Sequence, residues 1–451
     1  MYPHQRHEYQ QHLADTHYAL LGATQARIQS DVKYFLRSST VVDQSAHRTL
    51  PRFDRSELIL GKLLGSGAFS DAYEIKAFDL PSNHDDDDDD EQDELGVKKQ
   101  KVVASREAFL RQQMNDRCKE KVKGKRPYVV KRIQPKFVGR VNRFKSAAVD
   151  LIVEAHLLAS LHHPHILSIR GWSTDTSYAD GRHDSFFLVL DRLDGTLANR
   201  INEWRKQVKV LRDQPTLIMK ILQQQYSSDS PLTKKECVQD LLFAGRLKVI
   251  RDVASALAYL HSKGLVYRDL KPQNIGFDVH GQVKLFDFGL VRELPDAKQA
   301  VPQPAAAQDE EEEEERSFSS SKQQQRKRRL ETVFDMTSRN GTIRYMSPEV
   351  SRGAPYNQKV DVYSLALVTW QVMALKKPFP NYNEGEHKAH VVLQGERLSL
   401  NNSLWPLGVR TLLFCSWAQD MSIRPTMAEY HGAILRELER LRNGRQQCQE
   451  Q

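Results

Sequence analysis

Apolar residues recur along this chain with two different periods. Leu58-Ile59-Leu60-Gly61-Lys62-Leu63-Leu64 and Ala72-Tyr73-Glu74-Ile75-Lys76-Ala77-Phe78 read as two strands joined by a short glycine-bearing loop. Pro127 to Ile133, Ile166 to Ile169 and Phe186 to Leu190 read as three more strands. Among them, Val149, Ile152, Val153, Leu157, Leu158 and Leu161 form a helical stripe that ends before Pro164. Past residue 245 the helical period dominates. Leu247, Ile250, Val253, Leu257 and Leu260 make one stripe, stopped at Gly264, and the apolar run from Asp361 to Leu375 predicts another helix. Within 1–50, Leu20, Ile28, Val32 and Leu36 recur at roughly helical spacing and predict one or two amphipathic helices.

Three polar stretches interrupt this pattern. Residues 79–126 carry Asp85 to Asp90, then Glu91, Asp93 and Glu94, then a basic half from Lys98 to Arg126. Residues 198–238 are polar and helical in character. Residues 295–333 hold Asp309 with Glu310 to Glu315, a serine cluster and Arg326-Lys327-Arg328-Arg329. Blocks of like charge repel one another and bury little apolar surface, so 79–126 is expected as a solvated loop and 295–333 as disordered.

The composition fits a folded core with polar insertions. The chain has 451 residues, 39% of them hydrophobic, a mean hydropathy of −0.60 and a net charge of +8. Because that charge comes in blocks, its total identifies no partner. The basic residues of 98–126 and 326–329 would serve a nucleic-acid binder, but both lie beside acidic runs and carry no binding motif, so no nucleic acid is expected. His4, His7, His12 and His17 hold no single helical face and read as solvated rather than metal-binding. No apolar run approaches the ~20 residues of a membrane span, and the first residues have no apolar segment behind them to make a secretory signal. Cys118, Cys237, Cys415 and Cys448 lie far apart, which fits free thiols in a reducing compartment. An intracellular, cytoplasmic protein is expected, with the basic cluster at 326–329 the one feature pointing to the nucleus.

The chemistry concentrates between Tyr267 and Gly289. Tyr267-Arg268-Asp269-Leu270-Lys271-Pro272-Gln273-Asn274 places a carboxylate, a cation and an amide oxygen within six positions of one another. Lys284-Leu285-Phe286-Asp287-Phe288-Gly289 adds a second carboxylate behind a strand-like segment. Phosphoryl transfer needs such groups: a base for the hydroxyl proton, positive charge near the moving phosphoryl, and hard oxygens for Mg²⁺. Upstream, Gly65-Ser66-Gly67-Ala68-Phe69-Ser70 lies between two strands, where glycines let backbone N–H groups approach phosphate oxygens. Alone, that glycine pair fits a hairpin turn equally well.

Taken together and in order, these stretches resemble the eukaryotic protein kinases. Gly341-Thr342-Ile343-Arg344-Tyr345-Met346-Ser347-Pro348-Glu349 resembles the end of a kinase activation segment. Trp417 to Thr426 resembles an element of the tyrosine-kinase-like group. The resemblance covers roughly residues 56–438, with insertions at 79–126, 198–238 and 295–333, an extension at 1–55 and a tail at 439–451. It implies an α+β, two-lobed fold: an antiparallel N-lobe sheet with one main helix, and a mostly α-helical C-lobe. ATP and Mg²⁺ are the implied cofactors, and a protein with Ser/Thr hydroxyls is the implied substrate.

The resemblance also implies roles. Asp269 takes the hydroxyl proton, Lys271 steadies the γ-phosphoryl, and Asn274 and Asp287 hold the metal. Lys131 grips phosphates and pairs with Glu154. Residues 65–70 cover the phosphates, while Asp191 and Leu193 belong to the hinge that meets adenine, with Leu190 at its back. Glu349 pairs with Arg424 as a structural salt bridge. Lys271 with Thr342 is the serine/threonine pattern. Arg268 before the base implies an activating phosphate, placed by an upstream kinase or by the chain itself, with Thr332, Thr337 and Ser338 as candidates. Tyr267, Ser347, Cys415 and Met421 depart from the family pattern, and so do three positions around the nucleotide: Ser70 stands for a third glycine, Gly276 for a large apolar residue under adenine, and Val129 for a smaller residue above it. The last two are read as a volume exchange. The alternative function is a pseudokinase scaffold, which Ser70, Ala72 and Gly276 keep open although Lys131, Asp269, Asn274 and Asp287 are all present.

Overall fold

The computed structural model describes residues 24–43, 45–80, 94–175, 178, 182–213, 234–295, 332–334, 336 and 341–447. They fall into two compact units, residues 1–196 with 275–289 and residues 197–274 with 290–451.

The first unit is built on six strands: β1 (Arg52–Phe53), β2 (Leu58–Ser66), β3 (Ser70–Phe78), β4 (Tyr128–Ile133), β5 (Ile169–Ser173) and β6 (Phe187–Asp191). Their order is β1-β5-β6-β4-β3-β2. β2 to β6 pair antiparallel, as expected, and β1 adds a short parallel edge on β5. Neighbouring residues of a strand face opposite sides of the sheet. Tyr128 and Val130 of β4 therefore face one side and Lys131 the other. On the Lys131 side lies helix α3 (Val141–Ser160), which buries Leu151, Ile152, Leu157 and Leu158 together with Glu154. A second, small sheet in this unit joins β7 (Gly195–Thr196), β9 (Ile275–Phe277) and β10 (Val283–Leu285) in the order β10-β9-β7.

The region 79–126 departs from the solvated loop expected of it. Glu94–Lys119 is a helix, α2. Its last turns pack on the sheet: Met114 and Cys118 are buried with Phe53, Ile75, Phe78, Tyr128 and Val189. Arg111 pairs with Glu57 and lies over the Phe53 ring, and Glu107 accepts the Arg52 N–H at 2.8 Å. Two apolar anchors one turn apart suffice to dock a charged helix, since burying a methionine-sized side chain contributes about 2 kcal/mol. The acidic run 85–93 lies outside the described residues.

The boundaries shift as well. A helix over 24–38, α1, precedes the position where the kinase-like region was expected to begin, and Ile28 and Val42 are buried. Asp31 pairs with Lys145 of α3 at 2.8 Å, and the Asp43 N–H donates to Ser160 at 3.0 Å. With β1 inside the main sheet, most of the described part of 1–55 belongs to the first unit. His4, His7, His12 and His17 lie outside the described residues. The strand expected at 166–169 starts later, at Ile169; Ile166 instead forms a bridge to Leu285.

The second unit is mainly helical: α4 (Leu197–Asp213), α5 (Lys234–Ser262), α6 (Pro348–Arg352), α7 (Lys359–Ala374), α8 (Leu407–Ser416) and α9 (Met427–Gln447). β8 (Leu265–Val266) pairs with β11 (Arg292–Glu293). α7 is buried from Val360 to Met373, which explains an apolar run with no polar face. α5 begins eleven residues before Gly245 and ends by Gly264, whose φ of 74° is the left-handed conformation that closes helices. The stretch expected as a tail from 439 continues α9, with Leu441 buried. Residues 214–233 and 296–331 lie outside the described residues.

Candidate active site

Lys131 sits in the middle of β4, and its ammonium meets both oxygens of Glu154 at 2.9 and 2.7 Å. Asp287 accepts from the same nitrogen at 3.0 Å. Burial alone would push the Lys131 pKa down; Asp287 and Glu154 together reverse that and hold it above its ordinary value. Burial raises the Glu154 pKa, against the pull of Lys131. The Lys131–Glu154 pair that the resemblance implied is therefore present. Asp287 lies in the left-handed region with φ 68°, and its side chain is 45% exposed. Such a backbone costs a non-glycine residue about 1–3 kcal/mol and persists only where the surroundings impose it.

In the same unit, Gly65 to Phe69, the end of β2 and the turn into β3, are exposed. No atom lies within 4 Å of a Cβ built on Gly65, and only Ser70 approaches one on Gly67. The glycine bend is closed by the Gly67 N–H donating to the Ser70 carbonyl at 2.8 Å. Buried Gln134, just after β4, clasps this bend. Its amide nitrogen donates to Ser66 Oγ at 2.7 Å, the Gly67 carbonyl at 2.9 Å and Asp71 at 2.9 Å. Ala68 takes part in no such contact. Sequence reasoning missed Gln134, because a lone glutamine after a strand carries no motif.

Of the expected hinge residues, Asp191 turns its carboxylate to Arg170, with bonds of 2.9 and 2.7 Å. Its side chain is thus committed to the neighbouring strand β5. Leu190 is buried, as a residue at the back of a pocket would be. Leu193 lies between two fixed neighbours: the Arg192 N–H donates to Pro127 at 2.7 Å, and the Asp194 N–H donates to Phe277 at 2.7 Å. The Leu193 amide and carbonyl make no hydrogen bond within the described residues, which leaves one donor and one acceptor side by side. The volume exchange expected between Gly276 and Val129 takes a different form. A Cβ on Gly276 would meet Leu193 Cδ1 at 2.5 Å, so Leu193 fills that space.

In the second unit, Asp269, Lys271, Asn274 and Thr342 form one network. Lys271 Nζ donates to Asp269 Oδ2 at 2.5 Å and to Thr342 Oγ1 at 3.0 Å. Thr342 donates to Asp269 Oδ1 through its N–H at 2.9 Å and its hydroxyl at 3.0 Å. Asn274 Nδ2 donates to the Asp269 carbonyl and to Oδ2, both at 3.0 Å. Because the Asn274 nitrogen is spent on Asp269, its amide oxygen is the end left to act as a hard ligand. A buried carboxylate, a cation and a hydroxyl-bearing segment are thereby locked in one geometry.

The backbone that carries this network is set by Asp361 at the start of α7. It accepts the N–H groups of Tyr267 and Arg268, both at 2.8 Å, and contacts His261 Nε2 at 2.9 Å. Arg268 has φ 71°, and its guanidinium donates to the Leu290 carbonyl at 2.7 Å and Tyr356 Oη at 3.1 Å. In the sequence Asp361 showed only as the polar start of an apolar helix. Glu349 and Arg424 form the expected buried pair at 2.6 and 2.9 Å. Burial works against the Glu349 charge, but Arg424 holds its pKa below the usual carboxylate value. Thr332 is described, its carbonyl accepting from Asn357 at 3.0 Å; Thr337 and Ser338 lie outside the described residues.

No group of three or more His, Cys, Asp or Glu among the described residues forms a ready-made metal cage. No helix among the described residues is long and apolar enough to cross a membrane.

The Protein kinase domain family matches residues 116–433, more than two thirds of the chain. That match begins inside the first insertion, at residue 116, and leaves the glycine loop outside it. Among curated proteins, serine/threonine-protein kinase STY17 of Arabidopsis thaliana is 30% identical over 183 residues, 41% of this chain and 26% of that protein. Serine/threonine-protein kinase CTR1 of the same plant is 29% identical over 185 residues, 41% of this chain and 18% of its own. Dual specificity protein kinase pyk3 of Dictyostelium discoideum is 29% identical over 197 residues, 44% of this chain and 12% of its own. The matches thus span about a quarter or less of these relatives' lengths. With its fold, its paired Lys131 and Glu154 and the Asp269 network in place, the chain belongs to the protein kinase domain family.

Proposed function

We propose that this protein is an ATP-dependent protein kinase that transfers the γ-phosphoryl group to Ser/Thr hydroxyls of protein substrates. The single observation that carries the reading is the Asp269 network, in which Lys271 and Thr342 bind the same carboxylate as Asn274. Asp269 orients the acceptor hydroxyl and takes its proton, and Lys271 balances charge on the phosphoryl oxygens. Asn274 and Asp287 supply the protein oxygens for Mg²⁺, which when bound draws charge from the phosphates. Lys131, kept charged by Glu154, steadies the remaining phosphates. The glycine bend offers backbone N–H groups, and Leu193 offers its free amide and carbonyl to the adenine edge. Such positioning and electrostatic effects account for most of the rate in phosphoryl transfer.

The test is an ATP-transfer assay on the full chain and on Asp269→Asn, with phosphosites mapped by mass spectrometry. Transfer to Ser/Thr, lost in the variant, supports the reading; transfer equal in both overturns it. Activation by a phosphate on Thr332, Thr337 or Ser338 belongs to the same reading. It predicts that phosphatase treatment lowers activity, and full activity of the triple alanine variant would refute it. A cytoplasmic location also belongs to it and is checked by imaging a tagged chain.

The pseudokinase reading draws on one observation, the Leu193 side chain filling the space beside Gly276. Nucleotide binding without transfer in the same assay would favour it.

A further inference from the structure

Gly276 lies in the middle of β9, whose two partners are β7 and β10. A glycine inside a strand leaves a gap unless another group fills it. Here the filler is identifiable. Leu193 Cδ1, Cγ and Cδ2 stand 2.5, 3.2 and 3.3 Å from where a Cβ at 276 would lie. Both methyl carbons of one side chain and the Cγ that bears them converge on the vacant position, and no Cβ would fit there without moving Leu193.

Leu193 is also held. Its C-terminal neighbour Asp194 is fixed through its N–H to Phe277, in β9, and through its carboxylate to Lys125. Its N-terminal neighbour Arg192 is fixed through its N–H to Pro127 and through its guanidinium to Glu74 at 2.6 Å. Lys125 and Pro127 flank the end of the 79–126 insertion, and Lys123 from the same turn donates to the Val279 carbonyl at 2.7 Å. The insertion therefore ends as a brace on both the hinge and the β9–β10 turn. A leucine restrained on both sides is a rigid surface rather than a side chain free to swing away.

We propose that Leu193 is the residue that contacts the base of the bound nucleotide from the position left vacant by Gly276, and that the insertion, through Lys125 and Asp194, holds it there. The inference rests on the kinase reading for the presence of a nucleotide. It assigns the apolar contact to the hinge side chain rather than to β9, and it gives the insertion a role in nucleotide affinity.

The test uses the full chain as wild type, Leu193→Ala, Gly276→Leu and the exchange double variant. Unliganded melting temperature and Mg·ADP affinity by calorimetry are the two readouts. Gly276→Leu is expected to melt lower and to bind ADP at least about tenfold more weakly, because two leucines compete for one space. Leu193→Ala is expected to weaken ADP by a similar factor. The double variant, which restores the volume from the other strand, is expected to recover both readouts to within about threefold of wild-type affinity. Wild-type melting and affinity in Gly276→Leu, or losses that simply add in the double variant, would overturn the proposal. Recovery of melting without any ADP binding in the wild type would keep the packing but remove the nucleotide role, and the kinase reading would fall with it. A Lys125→Ala variant that binds ADP as tightly as wild type would remove the brace.

Discussion

The Asp361 carboxylate accepts the backbone N–H of Arg268 at 2.8 Å while Arg268 holds a left-handed backbone with φ 71°. A strained residue is thus fixed directly before the candidate base Asp269 by a buried acceptor that touches no substrate. Replacing Asp361 with Asn leaves one buried N–H facing an amide nitrogen, a loss of about 1–3 kcal/mol. The expected result is a lower melting temperature, a kcat reduced at least about tenfold and a KM for ATP changed far less. Equal falls in kcat and rises in KM would show that Asp361 supports only the fold.

Lys131 and Glu154 make a prediction that depends on pH. Removing the ammonium in Lys131→Met leaves Glu154 and Asp287 with no cation between them, and loss of one partner of a buried pair costs about 3–5 kcal/mol. Glu154 already has a pKa raised above 4.5 by burial, and losing Lys131 raises it further. A carboxyl group raised in the folded state binds protons there that it gives up on unfolding. Its contribution is full below the unfolded pKa and is lost as pH rises through the folded pKa. Lys131→Met is therefore expected to be closer to wild-type stability at pH 5 than at pH 8, measured by thermal melts in matched buffers. Transfer activity should be lost by orders of magnitude at both pH values.

His387 sits at the start of a π-helix, His387–Leu393, with its ring edge-on to Phe379 at 5.6 Å. Neither ring nitrogen has a hydrogen-bond partner among the described residues. Burial, with Arg344 and Arg397 nearby, pushes its pKa from 6.5 down to about 4. The unfolded chain then binds more protons than the fold between those values, so stability rises with pH across that window and is lost as pH falls from 6.5 towards 4. The effect amounts to at most about 3 kcal/mol. His387→Met should flatten this acid limb in denaturant titrations at pH 7 and pH 5 while leaving pH 7 stability near wild type. An unchanged limb would assign it to other groups.

Gln134 holds the glycine bend through Ser66, Gly67 and Asp71. Gln134→Ala frees the bend and leaves those acceptors to water. The expected outcome is a weaker ATP KM, by about three- to tenfold, with little change in melting temperature. Faster hydrogen exchange confined to residues 65–71 would be the structural counterpart.

These predictions divide by how legible their residues were. Lys131, Glu154, Asp269, Asn274, Asp287 and the Glu349–Arg424 pair could be read because each has a fixed place relative to a strand, a helix or a short motif. Gln134, Asp361 and the packing of Leu193 against Gly276 could not, because these are contacts to backbone or to a vacancy far away in sequence. The helix α2 was hidden for a different reason. Ten of its 26 residues are charged, and the two apolar residues that dock it, Met114 and Cys118, are too sparse to form a readable stripe.

That helix also bears on how the sheet closes. The antiparallel neighbours β3 and β4 are separated by roughly 50 residues, where a tight hairpin would use a few, and the longer loop costs about 2 kcal/mol more in closure entropy. Once α2 lies against β3, with Cys118 Sγ 3.4 Å from the Ile75 carbonyl, only the short turn after Lys119 remains to bring Tyr128 into register. The length of chain left to order falls to about eight residues, and most of that closure cost has already been met by the helix. The register that carries Lys131 to its place opposite Ala72 is thereby tied to a segment that performs no chemistry.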